Sequence, residues 1–337
     1  MNALLEVIDL KAHFPPRTLP FGKGLPVKAV DGVSFRIGRG ETLGLVGESG
    51  CGKTTVARAV LRLTEVTAGE VRLDGQRIDN LKPGALRPLR RRIQVVFQDP
   101  YASLNPRLTV RDIIAEPILN FALAQTPDEI DTRIATLLDK VRLPRDSAGR
   151  RPHEFSGGQR QRIGIARALA AQPDLIVCDE AVSALDVSVK AQIVNLLADL
   201  QRELGLALLF ISHDLAIVEH IAQCVAVMYL GRIVEMGPTR NVFAAPKHPY
   251  TRALLSAVPV AEPGSTRTRI ILSGEPPGAS NPPTGCRFHT RCPSVFERCR
   301  ADEPRLRQTE SGRLVACHLN EMVTSDVSPP PPRAAVR

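Results

Sequence analysis

Thr42-Leu43-Gly44-Leu45-Val46-Gly47-Glu48-Ser49-Gly50-Cys51-Gly52-Lys53-Thr54-Thr55 is the stretch on which the fold turns. Its first five residues read as a buried strand, and TTVARAVLRL reads as a helix. Between them, Gly47 to Thr54 fits the spacing G-x-x-x-x-G-K-[ST] of a phosphate-binding loop. The glycines let backbone N–H groups turn inward around a β-phosphate, and the helix N-terminus adds partial positive charge. Lys53 is expected to reach the β/γ-phosphates, and the Thr54 hydroxyl to bind Mg²⁺. A glycine-rich turn can match this spacing by chance. A strand before it and a helix after it favour the functional reading.

Outward from this loop, from Leu4 to Met236, short β-branched runs alternate with longer helical patterns. That pattern implies an α/β domain with a largely parallel sheet. Strands are expected at Thr42–Val46, Ile93–Val96, Leu175–Cys178, Ala207–Ile211 and Cys224–Tyr229, and an antiparallel layer at Leu4–Leu10, Val27–Ile37 and Glu70–Leu73. Residues 100–160 lack strand signals and read as a helical insertion. The nucleotide-binding domain is placed at 1–240. After it, Pro259, Pro263, Pro276, Pro277, Pro282 and Pro283 mark a change of character, and an irregular extension is expected over 241–320. SPPPPRAAVR, within 321–337, reads as a disordered tail.

Composition narrows the classes. Hydrophobic residues at 43% and charged residues at 23% of 337 are ordinary globular values, which excludes disorder for most of the chain. MNALLEVIDLKAHF carries acidic residues and no long apolar run, so no secretion signal is expected. No stretch approaches the roughly 18 apolar residues that a membrane-spanning helix needs; a membrane role must come through partners. The net charge of +9 could serve nucleic acid or an anionic membrane, yet the basic residues are spread out and there is no Trp. A soluble protein with a basic face, and no nucleic-acid partner, is the expectation.

Leu175-Ile176-Val177-Cys178-Asp179-Glu180 is an apolar strand ending in two carboxylates. Beside a phosphate loop it has the context of a Walker B strand, whose Asp179 would hold Mg²⁺. Glu180 is placed to polarise an attacking water. Alone, two surface acids at a strand end would be the better reading.

Ser156-Gly157-Gly158-Gln159-Arg160, followed by QRIGIARALA, resembles the signature motif of ABC ATPases, and the resemblance covers residues 4 to 240. It implies a P-loop NTPase cassette: a RecA-like core, an antiparallel β layer and a helical subdomain. In that family the Ser-Gly-Gly turn, a second anion site at a helix N-terminus, faces the γ-phosphate held by the opposite subunit. The ATP-binding set carried over is therefore Phe14, as the adenine-stacking aromatic, Gly47 through Thr55, and Ser156 to Gln159. Gln98 matches the Q-loop glutamine that contacts Mg²⁺ or water. Ser183-Ala184-Leu185-Asp186 matches the D-loop, and His213 the histidine that contacts the γ-phosphate. Glu180, His213 and Gln98 form the catalytic set. One departure is visible: the family reads Asp-Glu-Pro-Thr-Ser where this chain has Asp-Glu-Ala181-Val182-Ser. Activity is expected to survive it, with a looser turn.

Lys247-His248-Pro249-Tyr250-Thr251-Arg252-Ala253-Leu254-Leu255, Asn281-Pro282-Pro283-Thr284-Gly285-Cys286 and Tyr101-Ala102-Ser103-Leu104-Asn105-Pro106 resemble the dipeptide/oligopeptide/nickel branch of ABC importers. The nearest likeness is to the second ATPase subunit of bacterial dipeptide importers. That implies a peripheral protein on the cytoplasmic face of the membrane. Its partners would be a second ATPase subunit, often non-identical in the family, two permease subunits and, through them, an external peptide-binding protein. A nickel importer ATPase is the alternative. A non-transport ABC ATPase acting on nucleic acid is a further one, disfavoured because only about 100 residues separate the phosphate loop from the signature.

Cys286-x5-Cys292-x6-Cys299-x17-Cys317 stands apart from Cys51, Cys178 and Cys224. Four clustered thiols favour a metal over disulfides. Zinc sites usually hold a C-x2–4-C pair, and none is present. The resemblance to cluster-bearing importer ATPases implies an iron–sulfur cluster of the 4Fe–4S type, with zinc or reduced structural cysteines as alternatives.

Overall fold

The computed structural model describes residues 3–16, 18–19, 22–23, 25–258, 269–309 and 312–320. The chain divides into two compact units: Met1–Arg36 with Leu43–Asp79 and His213–Arg337, and Ile37–Thr42 with Asn80–Ser212.

In the first unit, Thr42–Val46 is wholly buried and pairs in parallel with Cys224–Tyr229. Arg232–Pro238 returns antiparallel to that strand after Leu230-Gly231, both with positive φ. A second sheet runs in the order Val27–Ile37, Leu5–Phe14, Ala68–Leu73 and Gln76–Arg77, with the last three antiparallel. The expected antiparallel layer is therefore present, its first strand running on to Phe14.

The second unit holds three parallel strands in the order Ile93–Val96, Leu175–Asp179 and Ala207–Ser212. Their inward residues are Val, Ile and Leu at 0–7% exposure, which suits strands covered on both faces. Helices Pro100–Ser103, Val110–Asn120, Pro127–Lys140 and Gly157–Ala170 fill the expected helical region. Thr109 and Asp112 form a reciprocal capping box at the second of these.

The segment expected to be irregular is largely so, with a difference. Leu314–Val315 adds antiparallel to Arg232–Pro238, and Arg307–Gln308 adds to Leu314–Val315. Two-residue strands carry no periodicity for a sequence to reveal. Pro259, Pro263 and the expected tail at 321–337 lie outside the described residues.

Candidate active site

The first unit builds the phosphate loop from close backbone approaches. Gly52 has φ 108°, and a Cβ there would overlap the Ala29 carbonyl oxygen. A Cβ on Gly47, φ 154°, would overlap the carbonyl of Met228. Only glycine fits either place. Helix Lys53–Val60 starts from Gly52 with no side chain capping it, leaving its first N–H groups directed at the loop. Lys53 is 4% exposed, and its Nζ donates to the carbonyls of Gly47 (2.8 Å) and Glu48 (3.0 Å). Cys51 lies 3.8 Å from that ammonium. Burial pushes the Cys51 thiol up, against the pull of Lys53, so it stays protonated at neutral pH. Ser49 and Gly50 are exposed, while Thr54 and Thr55 are half-buried.

Glu48 has partners that local sequence gives no hint of. Its N–H donates to the Tyr250 hydroxyl (2.8 Å), and its carboxylate accepts from both Arg291 terminal nitrogens, at 2.7 and 3.2 Å. Tyr250 and Arg291 belong to the C-terminal extension. No motif links them to residue 48; only the conspicuous Lys247–Leu255 segment marks Tyr250 as unusual.

Phe14 ends its strand 40% exposed. Its neighbour His13 pairs through Nε2 with Asp31 (2.9 Å). Burial pushes the Asp31 carboxyl up, but Arg287 and His13 more than offset it, and it sits below the usual range. His213 is exposed directly after strand Ala207–Ser212.

The second unit carries the remaining candidates. Asp179 ends its strand, and Glu180 follows with φ 50°. A left-handed glutamate costs about 1 kcal/mol, strain that concentrates at functional sites. The backbone holds it there: Glu180 N–H donates to Ile211 O (3.0 Å), and Glu180 O accepts from the Ser183 N–H and hydroxyl, each at 3.0 Å. Ala181 and Val182 are buried at 1% and 2%, so the departure from Pro-Thr fills space rather than opening it. Cys178 is fully buried, and burial pushes its thiol up to about 12.

Ser156 caps helix Gly157–Ala170 in a box with Gln159: Gln159 N–H to Ser156 Oγ (3.3 Å) and Ser156 N–H to Gln159 Oε1 (3.0 Å). A Cβ on Gly158 would overlap Val189 of the following helix, so this glycine permits packing as well as exposing N–H groups. Gln98 is exposed, but its neighbours are tied to the signature helix. Gln161 donates to Phe97 O (3.2 Å), Arg167 to Ser103 O (2.6 Å), and Arg160 stacks on the Tyr101 ring at 3.6 Å.

The iron–sulfur expectation, and with it zinc, finds no support. Among the described residues, which include Cys286, Cys292, Cys299 and Cys317, no group of three or more His, Cys, Asp or Glu is positioned to hold a metal ion. The thiols are near enough to influence one another: burial, then Cys299, Cys317 and Cys292, push Cys286 up to about 11. Backbone bonds link the parts of this segment. Cys286 N–H donates to Cys299 O (2.8 Å) and His289 N–H to Cys286 O (2.9 Å). His318 is buried and bonds the Asp302 carbonyl at 3.0 Å.

Comparison with known proteins follows this geometry closely. The ABC transporter family model matches residues 30–183, and the oligopeptide/dipeptide transporter C-terminal region matches 234–299. A probable peptide ABC transporter ATP-binding protein of Sinorhizobium fredii is 55% identical, over 94% of this chain and 90% of that protein. The oligopeptide transport ATP-binding protein AppF of Bacillus subtilis is 52% identical, over 94% and 98%. Among solved structures, cbiO1 of Clostridium perfringens, part of an ABC transporter complex, superposes with a TM-score of 0.63 at 28% identity, over 72% and 92% of the two chains. The cassette MJ0796, a dimer with ADP and Pi, gives 0.62 at 27%, over 70% and 99%.

Proposed function

Because the chain belongs to the ABC transporter ATP-binding family, in its oligopeptide/dipeptide branch, we propose that it powers peptide import by binding and hydrolysing ATP at the residues described above. It is an ATPase, and its work is to turn ATP binding and hydrolysis into closure and opening against membrane partners. The observation that carries this reading is the phosphate loop: two backbone crossings that only glycine permits, an uncapped helix N-terminus, and Lys53 stored against the loop carbonyls.

On arrival of ATP, Lys53 exchanges those carbonyls for β/γ-phosphate oxygens, and the helix N-terminus takes the β-phosphate. Thr54 carries a hydroxyl, Gln98 an amide and Asp179 a carboxylate oxygen, donor types a hard dication takes; by the family resemblance each would ligate Mg²⁺, which would neutralise phosphate charge. Glu180 accepts a proton from water as that oxygen bonds the γ-phosphorus and the bond to the ADP oxygen breaks. His213 contacts the γ-phosphate, and Phe14 stacks on adenine. The turn Ser156 to Gln159 offers its N–H groups to a nucleotide on a neighbouring ATPase subunit.

The partners are a second ATPase subunit, two permease subunits and, beyond them, an external peptide-binding protein. No helix among the described residues is long and apolar enough to cross a membrane; the protein sits peripherally on the cytoplasmic face, held by the permeases. Peptide choice rests with those other subunits.

The test is Glu180→Gln, which keeps size and removes the base. Turnover should fall by at least about 100-fold while ATP binding persists in a closed dimer. Hydrolysis at the native rate would overturn the assignment of Glu180.

A further inference from the structure

Every polar group of Glu48 is engaged, and each bond leads somewhere different. Its carbonyl accepts from Lys53 Nζ (3.0 Å), its N–H donates to Tyr250 (2.8 Å), and its carboxylate sits in the fork of Arg291. Two of the three lead into the C-terminal extension and the third to the lysine of the phosphate loop. We propose that Arg291 and Tyr250 are positioning residues for ATP binding, through which the extension sets the phosphate loop; this deepens the ATPase reading and rests on it.

Both partners are immobile. Tyr250 is 0% exposed, and its ring packs on Tyr229 (centroids 4.7 Å apart) and Phe288 (5.4 Å). Arg291 is 8% exposed and stands in the turn Cys286–Cys292, where its N–H donates to Phe288 O (3.0 Å). That turn is pinned to Cys299 O by Cys286 N–H and at Gly285, φ 67°, where a Cβ would meet Cys299 O at 2.6 Å. A bidentate arginine–carboxylate pair fixes direction as well as distance.

Electrostatics give the pair a second use. A loop built for a triphosphate gains nothing from a carboxylate in its second position, because like charge repels the ligand. The Arg291 guanidinium neutralises that carboxylate and turns it away. Without Arg291, the loop would keep the negative charge and lose its anchor, both to the cost of ATP affinity. The chemical step at Glu180 would be untouched, so KM should move and kcat should not.

The experiment measures ATPase rate against MgATP concentration, and ATP dissociation constants, for the full-length chain assembled with its membrane partners. Arg291→Gln should raise KM and the dissociation constant about tenfold, the size expected for losing a charged bidentate contact, with kcat within about twofold. Arg291→Lys should recover part of the loss, since a point charge restores neutrality and not the fork. Tyr250→Phe should weaken binding about threefold, and Glu48→Gln added to Arg291→Gln should be no worse than Arg291→Gln alone. Unchanged KM in both Arg291→Gln and Tyr250→Phe, or losses that multiply in the double variant, would overturn the proposal. So would kcat and KM falling together with folded yield, the mark of a merely structural role. Should Arg291→Gln fail to fold, Tyr250→Phe and Glu48→Gln carry the same readout. A wild-type chain that binds ATP without hydrolysing it would instead overturn the ATPase reading, and the dissociation constants would still judge the positioning role.

Discussion

Strand residues Leu43–Val46 with their loop and the Cys-bearing segment 286–317 share one compact unit and are held by a different balance of forces. The strand is 0–1% exposed at Thr42, Leu43 and Leu45, and its stability is apolar area removed from water at roughly 25 cal/mol per Å². The extension also buries Phe288, Leu314 and Val315 at 1–4% exposure, and to that it adds charge and directed bonds: Arg287 on Asp31, Arg291 on Glu48, and Arg313 on the carbonyls of Asn241 and Ala245, both 2.7 Å, with Glu235 at 3.7 Å. Area is spread over many atoms and fails gradually. A buried ion pair depends on both members and fails at once.

The strongest way to break that contrast is at the loop itself, where backbone geometry rather than area sets tolerance. Gly52→Ala must place a methyl against Ala29 O at φ 108°. A cost of about 3–4 kcal/mol in unfolding free energy is expected, from overpacking together with a left-handed backbone. Denaturant midpoints check it, and ATP binding should vanish. A folded protein with an unchanged midpoint would mean the crossing is softer than drawn.

Glu235→Gln tests the other side. Glu235 is 0% exposed and accepts from the N–H groups of Lys247 (2.9 Å) and His248 (2.9 Å), while Arg313 stands nearby at 3% exposure. Removing the charge takes a carboxylate from beside a buried arginine, at a cost of about 2–3 kcal/mol. The extension should become the first part to exchange amide hydrogens. Global loss of protection with no earlier opening at 248–320 would say that the two regions unfold as one.

These two positions also show what was legible in the sequence. Strands Thr42–Val46, Ile93–Val96 and Cys224–Tyr229 lie on the apolar runs; Glu41 and Gly47 bound the first, while Phe97 and Leu230 carry the other two runs one residue past the strand. The phosphate loop, the carboxylate pair and the signature turn are local patterns whose chemistry is set within a few residues. Glu48 and its partners are not local: Tyr250 is 202 positions away and Arg291 is 243. Nothing in either neighbourhood encodes the meeting. The four cysteines are the reverse case: their clustering is plain in the sequence, and no ligand set for a metal is found among the described residues. The turns at Gly285 and at the Cys299 carbonyl, by contrast, leave no mark in the sequence.

A pH effect sharpens the comparison further. His248 is 1% exposed, and burial, with help from Arg252, lowers its imidazole to about 3 from 6.5. Its Nδ1 accepts from Tyr250 N–H (3.0 Å), capping helix Pro249–Ser256 in the neutral form. Between pH 6.5 and 3 the unfolded chain takes a proton here and the folded chain does not. The stability tied to this group is thus whole above pH 6.5 and is lost as pH falls. From pH 6.5 to 5 the loss is about 2 kcal/mol, at about 1.4 per unit. His248→Asn keeps an N-cap acceptor and deletes the titration, so stability against pH should flatten over that window. An unchanged slope would place the proton uptake elsewhere.

The smallest expected effect bears on the thiols. Cys299 is 7% exposed, and its carbonyl accepts from Cys286 N–H. Cys299→Ala leaves that carbonyl in place and removes one buried atom, for about 1 kcal/mol by denaturant midpoint. ATPase KM should stay within about twofold, because Arg291 keeps the turn that aims it at Glu48. If instead the variant sheds stoichiometric iron or zinc and loses ATP affinity, the thiols were ligands, and the segment is held by a metal rather than by its backbone. The ion-pair account of the extension would then give way to a bound metal as the staple, and Arg291 would owe its position to that staple. A modest midpoint shift with nucleotide affinity intact keeps the backbone as the cause and charge as the means of docking.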